Sequence, residues 1–147
     1  MDQDKLRRRY QWLWTGEAVS AALFAAFLLW AADQDGVWQR WIARTYSVGV
    51  VILILVQGIV WWRVKLRLLQ QNQRQIPAST LRAFRWWRRI NWLFIGSFPL
   101  VVLIATQLTQ QPLASTDTWL GLLFLGGAVL EQINYYYVQL MYDSAYD

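Results

Sequence analysis

Glu17, Gln57, Glu131 and Asn134 are the residues of this 147-residue chain best placed to do chemistry, because each falls within or beside a long apolar run. A polar side chain in such a run must find a partner. Glu17 lies three to five residues inside Trp12 and Trp14, Gln57 four inside Trp61, Ser97 five inside Trp92, and Glu131 four inside Tyr135. At about 1.5 Å per residue, this sets all four roughly 6–8 Å below the same interface of a membrane. Glu131 and Asn134 share a helix face at i, i+3. Gly127 lies one turn earlier on that face, leaving room for a neighbour or ligand, while Gln132 points elsewhere. A buried carboxylate is costly unless paired, so Glu17 and Glu131 are expected to meet arginine; the candidates at that level are Arg8, Arg9, Arg63, Arg88 and Arg89. Three roles are open to the cluster. It can be hydrogen-bonded glue between helices, a site for a lipid headgroup or amphipathic cofactor, or part of a proton or ion path. A path is the weakest of these, since the opposite leaflet carries no matching polar residues. Acid–base catalysis by Glu17 or Glu131 lacks a companion nucleophile or metal set. The chain contains neither Cys nor His, which removes disulfides, thiolate nucleophiles, iron–sulfur ligation, the usual zinc sites and His-ligated haem.

Residues Glu131-Gln132-Ile133-Asn134 resemble the start of the Glu-x-x-Asn-x-Arg motif of the light-harvesting family. That resemblance implies ligation of chlorophyll magnesium by Glu131 and Asn134. It covers four residues, and the sequence departs from the motif at the last position, where Tyr136 stands in place of arginine. The Tyr-rich continuation and a four-span layout also differ from the three-helix or single-helix proteins of that family, so the reading adopted here includes no cofactor and no metal.

The elements that position these residues are four apolar runs, at 15–32, 45–62, 92–108 and 119–141, in a composition that is 56% hydrophobic and 16% aromatic. About 17–20 helical residues cross a hydrocarbon core of about 30 Å. The run ends carry Trp12, Trp14, Trp30, Tyr46, Trp61, Trp62, Trp92, Trp119 and Tyr135 to Tyr137, an aromatic belt. The fold class expected is an all-α membrane protein: one domain over 1–147 with four transmembrane helices. A cleaved signal peptide is the alternative for the first run, since Lys5 and Arg7 to Arg9 precede it. The acid-bearing, Trp-rich lead-in and the lack of a small-x-small cleavage site argue against this.

Charge sets the expected orientation. Of the 14 Lys and Arg, all but Arg40 and Arg44 fall in the leader or between runs two and three, and the latter stretch holds no acid. Both termini are therefore expected in the cytoplasm. Residues 63–75 are helix formers without Gly or Pro, Pro77 breaks the helix, and Ser79 is a candidate N-cap for its restart. These features give a basic cytoplasmic helical hairpin over 63–90. Arg63, Arg85, Arg88 and Arg89, interleaved with Phe84, Trp86 and Trp87, suit anionic headgroups or a partner protein. At the other side, 37–44 reads as a short interfacial helix with Trp38, Trp41 and Ile42 on one face, and Asp117 is the charge of the second loop. Ala18, Ala22 and Ala26 form a small-residue packing ridge beside Ala21 and Ala25, and Pro99 is expected to kink the third span. The Tyr-rich, acid-ending tail is a candidate docking segment.

The halves resemble each other. Residues 8–16 align with 88–96, and 56–66 align with 130–140, pairing Gln57 with Glu131. An internal repeat over about 5–70 and 85–143 would make the fold two tandem hairpins in a pseudo-two-fold bundle. The function expected is a non-enzymatic integral membrane accessory or assembly subunit that packs against a larger complex, with the basic hairpin contacting anionic lipid or partner. The alternatives are a small duplicated transporter or channel, and a protein binding lipid, pigment or quinone. A membrane-embedded partner or a homo-oligomer is expected; nucleic acid is not.

Overall fold

The computed structural model describes residues 3–35, 38–71, 73 and 75–139. The proposed docking tail lies outside the described residues from position 140 onward, as does Arg74. Four helices follow in order: α1 (Gln3–Asp35), α2 (Ile42–Gln70), α3 (Ala78–Thr109) and α4 (Thr116–Ile133). A 3-10 turn, Trp38–Trp41, leads into α2, and a π-helical segment, Asn134–Gln139, continues α4. Helices α1, α2 and α3, of 33, 29 and 32 residues, are long and apolar enough to cross a membrane. Each measures about 45–50 Å, more than a hydrocarbon core of about 30 Å requires, so its ends reach past the apolar slab. Helix α4 is shorter, 18 residues, with Asp117 and Glu131 near its two ends.

The outward faces support the same class. Leu23, Phe27 and Trp30 on α1, Leu93, Leu100 and Leu108 on α3, and Leu123 and Leu130 on α4 are each more than half exposed. So large an apolar surface suits lipid and not water. Helix α2 is the opposite case. Buried residues Val48, Val50, Val51, Ile54, Leu55 and Trp61 surround its axis because it packs against all three other helices. Helix α3 turns inward only the stripe Phe84, Asn91, Ile95, Phe98, Val102 and Ala105, with the three- and four-residue spacing of one helix face from Asn91 onward. The two hairpins pack unequally: α1 lies along α2, whereas α3 only grazes α4, which lies along α2 instead.

Helices α2 and α4 are parallel and approach closely at two glycines. A Cβ on Gly121 would sit 3.1 Å from the Ala43 backbone, and one on Gly58 would fall 2.8 Å from the Tyr135 ring. Gly127, expected to admit a neighbour, faces open space instead, with nothing within 4 Å of its would-be Cβ. The α1 ridge is likewise shifted: Ala21 is buried and Ala18 and Ala25 half-buried, while Ala22 and Ala26 face outward.

Helix ends account for further differences from expectation. Ser79 lies inside the first turn of α3 and does not cap it; Pro77 occupies the cap position, and its carbonyl accepts the Leu81 N–H at 3.2 Å. Helix α3 runs through Pro99 and ends at Gln110, whose φ of 55° is the left-handed geometry that stops a helix, with Pro112 soon after. Ser115 caps α4, its hydroxyl accepting the Thr118 N–H at 3.2 Å. Helix α2 has no side-chain cap of its own. Asp117 supplies it from α4, accepting the N–H groups of Ala43 (2.8 Å) and Arg44 (3.2 Å) and pairing with Arg44 Nε at 2.7 Å. Placed at a helix N-terminus, a carboxylate both satisfies free amides and complements the helix dipole. Arg44 also lies 3.9 Å over the ring of Trp41, which is buried against the bundle and not laid on the membrane surface as its spacing suggested.

Candidate functional site

The polar residues near the basic end of the bundle divide into two groups that helix spacing alone did not separate. The first is a closed amide network in the core. Gln57 of α2 donates from Nε2 to Asn91 Oδ1 of α3 at 2.9 Å, and Asn91 Nδ2 donates back to Gln57 Oε1 at 2.8 Å. The same Asn91 nitrogen donates to Gln132 Oε1 of α4 at 2.8 Å, and Gln132 Nε2 donates to the Arg88 carbonyl at 3.1 Å. The Tyr136 hydroxyl closes the set by donating to Gln57 Oε1. Asn91 and Gln132 are fully buried, and Gln57 and Tyr136 nearly so. Three helices are thereby joined through groups that satisfy one another, the condition under which buried polar residues stabilise a fold.

The second group lines a groove on the side of the bundle. Glu17 of α1 faces Glu131 and Asn134 at the end of α4, with Leu55 of α2 behind them, around a volume of about 250 Å³. Glu17 Oε1 accepts the indole N–H of Trp62 at 3.2 Å, while Oε2 is buried with no partner. The expected arginine partners go elsewhere; Arg8 and Arg9 are exposed. The Arg63 guanidinium sits 5.9 Å over Trp14, and that of Arg88 sits 5.6 Å over Tyr137. Arg85 and Arg89 are exposed, as is Trp86 beside them on α3. Ser97 belongs to neither group; its hydroxyl shares a 2.6 Å hydrogen bond with Tyr46.

Of the four candidates Glu17, Gln57, Glu131 and Asn134, the fold therefore brings three together and takes Gln57 into the core. Asn91, Gln132 and Tyr136 are the residues the spacing argument missed. Gln132 does point away from the Glu131–Asn134 face, but toward α3 and the network. Spacing put Asn91 one residue outside Trp92 and set Ser97 level with Gln57, so the pairing of Asn91 with Gln57 carried no depth signal. No signal announced Tyr136 either. It turns inward within the π-helical segment, where the wider turn leaves both Tyr135 and Tyr136 buried.

The chlorophyll-ligating role implied by Glu131 and Asn134 gains no support from the rest of the motif. The residue at the motif's arginine position, Tyr136, is committed to the core on the other side of the helix. No protein-family model, curated protein or solved structure matches the chain. The helices, their apolar surfaces and the enclosed polar network define a helical membrane protein.

Proposed function

We propose that this chain is a non-enzymatic, four-span accessory or assembly subunit of a larger membrane complex. The observation that carries the reading is the closed Gln57–Asn91–Gln132–Tyr136 network, which binds the helices to one another and offers no reacting group or continuous polar path. Helix α4 with its π-helical continuation spans 24 residues, Thr116–Gln139, enough to cross beside the three longer helices. The basic end, formed by the start of α1, the end of α2 and the start of α3, faces the cytoplasm, so both termini lie there. Exposed Arg63, Arg85 and Arg89 with Trp86 contact anionic headgroups or the partner. The paired segments 8–16 and 88–96 support descent from a duplicated hairpin, now packed unequally.

The face offered to a partner is that of α1, which touches the bundle by one stripe and leaves Val19, Leu23, Phe27 and Trp30 outside. Photo-crosslinking from Leu23 and Phe27 in native membranes, with Leu103 of α3 as the comparison, tests this. A single protein adduct of constant mass from the α1 positions supports the reading. Lipid adducts alone, with a free monomer in mild detergent, would overturn it. A ligand-binding role is the second reading, favoured by the open groove between α1 and α4.

A further inference from the structure

We propose that the groove between α1 and α4 is a binding site for an organic ammonium ion carried on an apolar group, entered sideways from the membrane. Two carboxylates from different helices, Glu17 and Glu131, line one small volume, with the Asn134 amide beside them. Among the described residues no Lys or Arg pairs with either carboxylate; Glu17 Oε1 accepts only the Trp62 indole N–H, and its Oε2, with no hydrogen bond, lies against Gly58. An unpaired carboxylate in an apolar setting is costly and is neutralised either by a proton or by a cation beside it, and the groove has room for the cation. The nearby guanidinium groups are engaged otherwise: those of Arg63 and Arg88 lie over the rings of Trp14 and Tyr137.

The rest of the lining selects the kind of cation. A dehydrated Ca²⁺ takes about 6–8 oxygen ligands, more than two carboxylates and one amide supply. Trp12 and Tyr135 give the groove aromatic walls, and an aromatic wall beside a carboxylate is the combination that holds alkylated ammonium groups. Leu13 and Leu55 cover the remainder, fitting the carbon chain that follows the charged head. Gly16 also lines the groove, and a Cβ there would meet nothing within 4 Å, so a larger side chain has room. The route follows from charge. Lys5 and Arg7 to Arg9 crowd the aqueous end of α1 and repel a cation, whereas the lateral opening lies level with the exposed ring of Trp12. An amine-bearing phospholipid headgroup and a free lipophilic ammonium ion both carry this chemistry.

The test uses the full chain, stripped of lipid in an uncharged maltoside micelle, and calorimetric titration with hexyltrimethylammonium. Its neutral carbon isostere, in which a tert-butyl group replaces trimethylammonium, is the control. Saturable binding of the cation is expected, with affinity lowered about tenfold or more by Glu17→Gln and by Glu131→Gln. Gly16→Leu should lower it similarly by filling the groove while both carboxylates remain, in a position where the first added carbon meets nothing within 4 Å. Competition by phosphatidylethanolamine would identify the lipid headgroup as the natural source; its failure to compete would point to a free lipophilic ammonium ion. Equal binding of cation and neutral isostere, or unchanged affinity in folded Gly16→Leu and both Gln variants, would overturn the proposal. Because the titration contains no other protein, its outcome is independent of the accessory-subunit reading.

Discussion

Asn91→Leu is the perturbation that most directly tests the interior, because Asn91 is the hub through which α2, α3 and α4 are hydrogen-bonded. Leucine is close in volume, so the cost falls on polar partners and not on a cavity. Three hydrogen bonds disappear: one accepted from Gln57 Nε2, one donated to Gln57 Oε1 and one donated to Gln132 Oε1. Side-chain hydrogen bonds between membrane helices average about 0.6 kcal/mol, which gives roughly 2 kcal/mol for three. Two atoms are also orphaned in the core. Gln57 Nε2 and Gln132 Oε1 lose the partner they had, whereas Gln57 Oε1 keeps the Tyr136 hydroxyl and Gln132 Nε2 keeps the Arg88 carbonyl. A stranded buried group costs about 1–3 kcal/mol, partly overlapping the lost bonds. The expected destabilisation is therefore about 2–5 kcal/mol. Reversible unfolding in mixed micelles of increasing denaturing detergent, followed by the fluorescence of the 11 tryptophans, measures it. A second variant separates hydrogen bonding from packing. Replacing all four members together, Gln57→Leu, Asn91→Leu, Gln132→Leu and Tyr136→Phe, strands no polar side chain and should recover most of the loss. If Asn91→Leu stays within about 0.5 kcal/mol of wild type, the ordinary range for an uninvolved surface position, the network does not hold the helices together. A fourfold variant less stable than Asn91→Leu would likewise refute the reasoning.

Asp117→Ala should cost about 1–3 kcal/mol in the same assay, more than Arg44→Gln, because Asp117 also caps two backbone amides of α2; equal losses would mean that only the ion pair counts. Gly58→Ala should destabilise by about 1–3 kcal/mol through collision with the Glu17 carboxylate and the Tyr135 ring, while Gly127→Ala, facing open space, should be neutral or slightly stabilising. Arg85→Gln with Arg89→Gln should reduce the anionic lipid retained on purification in mild detergent, at about 1 kcal/mol per arginine removed, with no change in the melting temperature. Unchanged lipid content by mass spectrometry would show that these arginines do no more than set orientation. A reporter fused after Asp147 should report from the cytoplasm, and its export would invalidate the four-span topology.

By itself the sequence determined what depends on local period and composition. Long apolar runs bounded by aromatics are helices of membrane length, since no other local structure satisfies their backbone in lipid, and the break at Pro77 follows from a ring that cannot donate. Glu17, Glu131 and Asn134 were legible as partners because depth and helix face are functions of spacing. Only the tertiary structure decided which faces meet. Gln57 lies at the depth of Glu17, but α2 is rotated so that its amide meets Asn91 and its neighbour Gly58 meets Glu17 and Tyr135. Asp117 looked like a loop charge because its ligands are backbone amides 73 and 74 residues away, and backbone carries no sequence signature. The expected arginine partners failed for a related reason. Arginine can satisfy itself over an aromatic face as well as beside a carboxylate, and in a chain with 11 tryptophans the choice between them is made by helix rotation and packing.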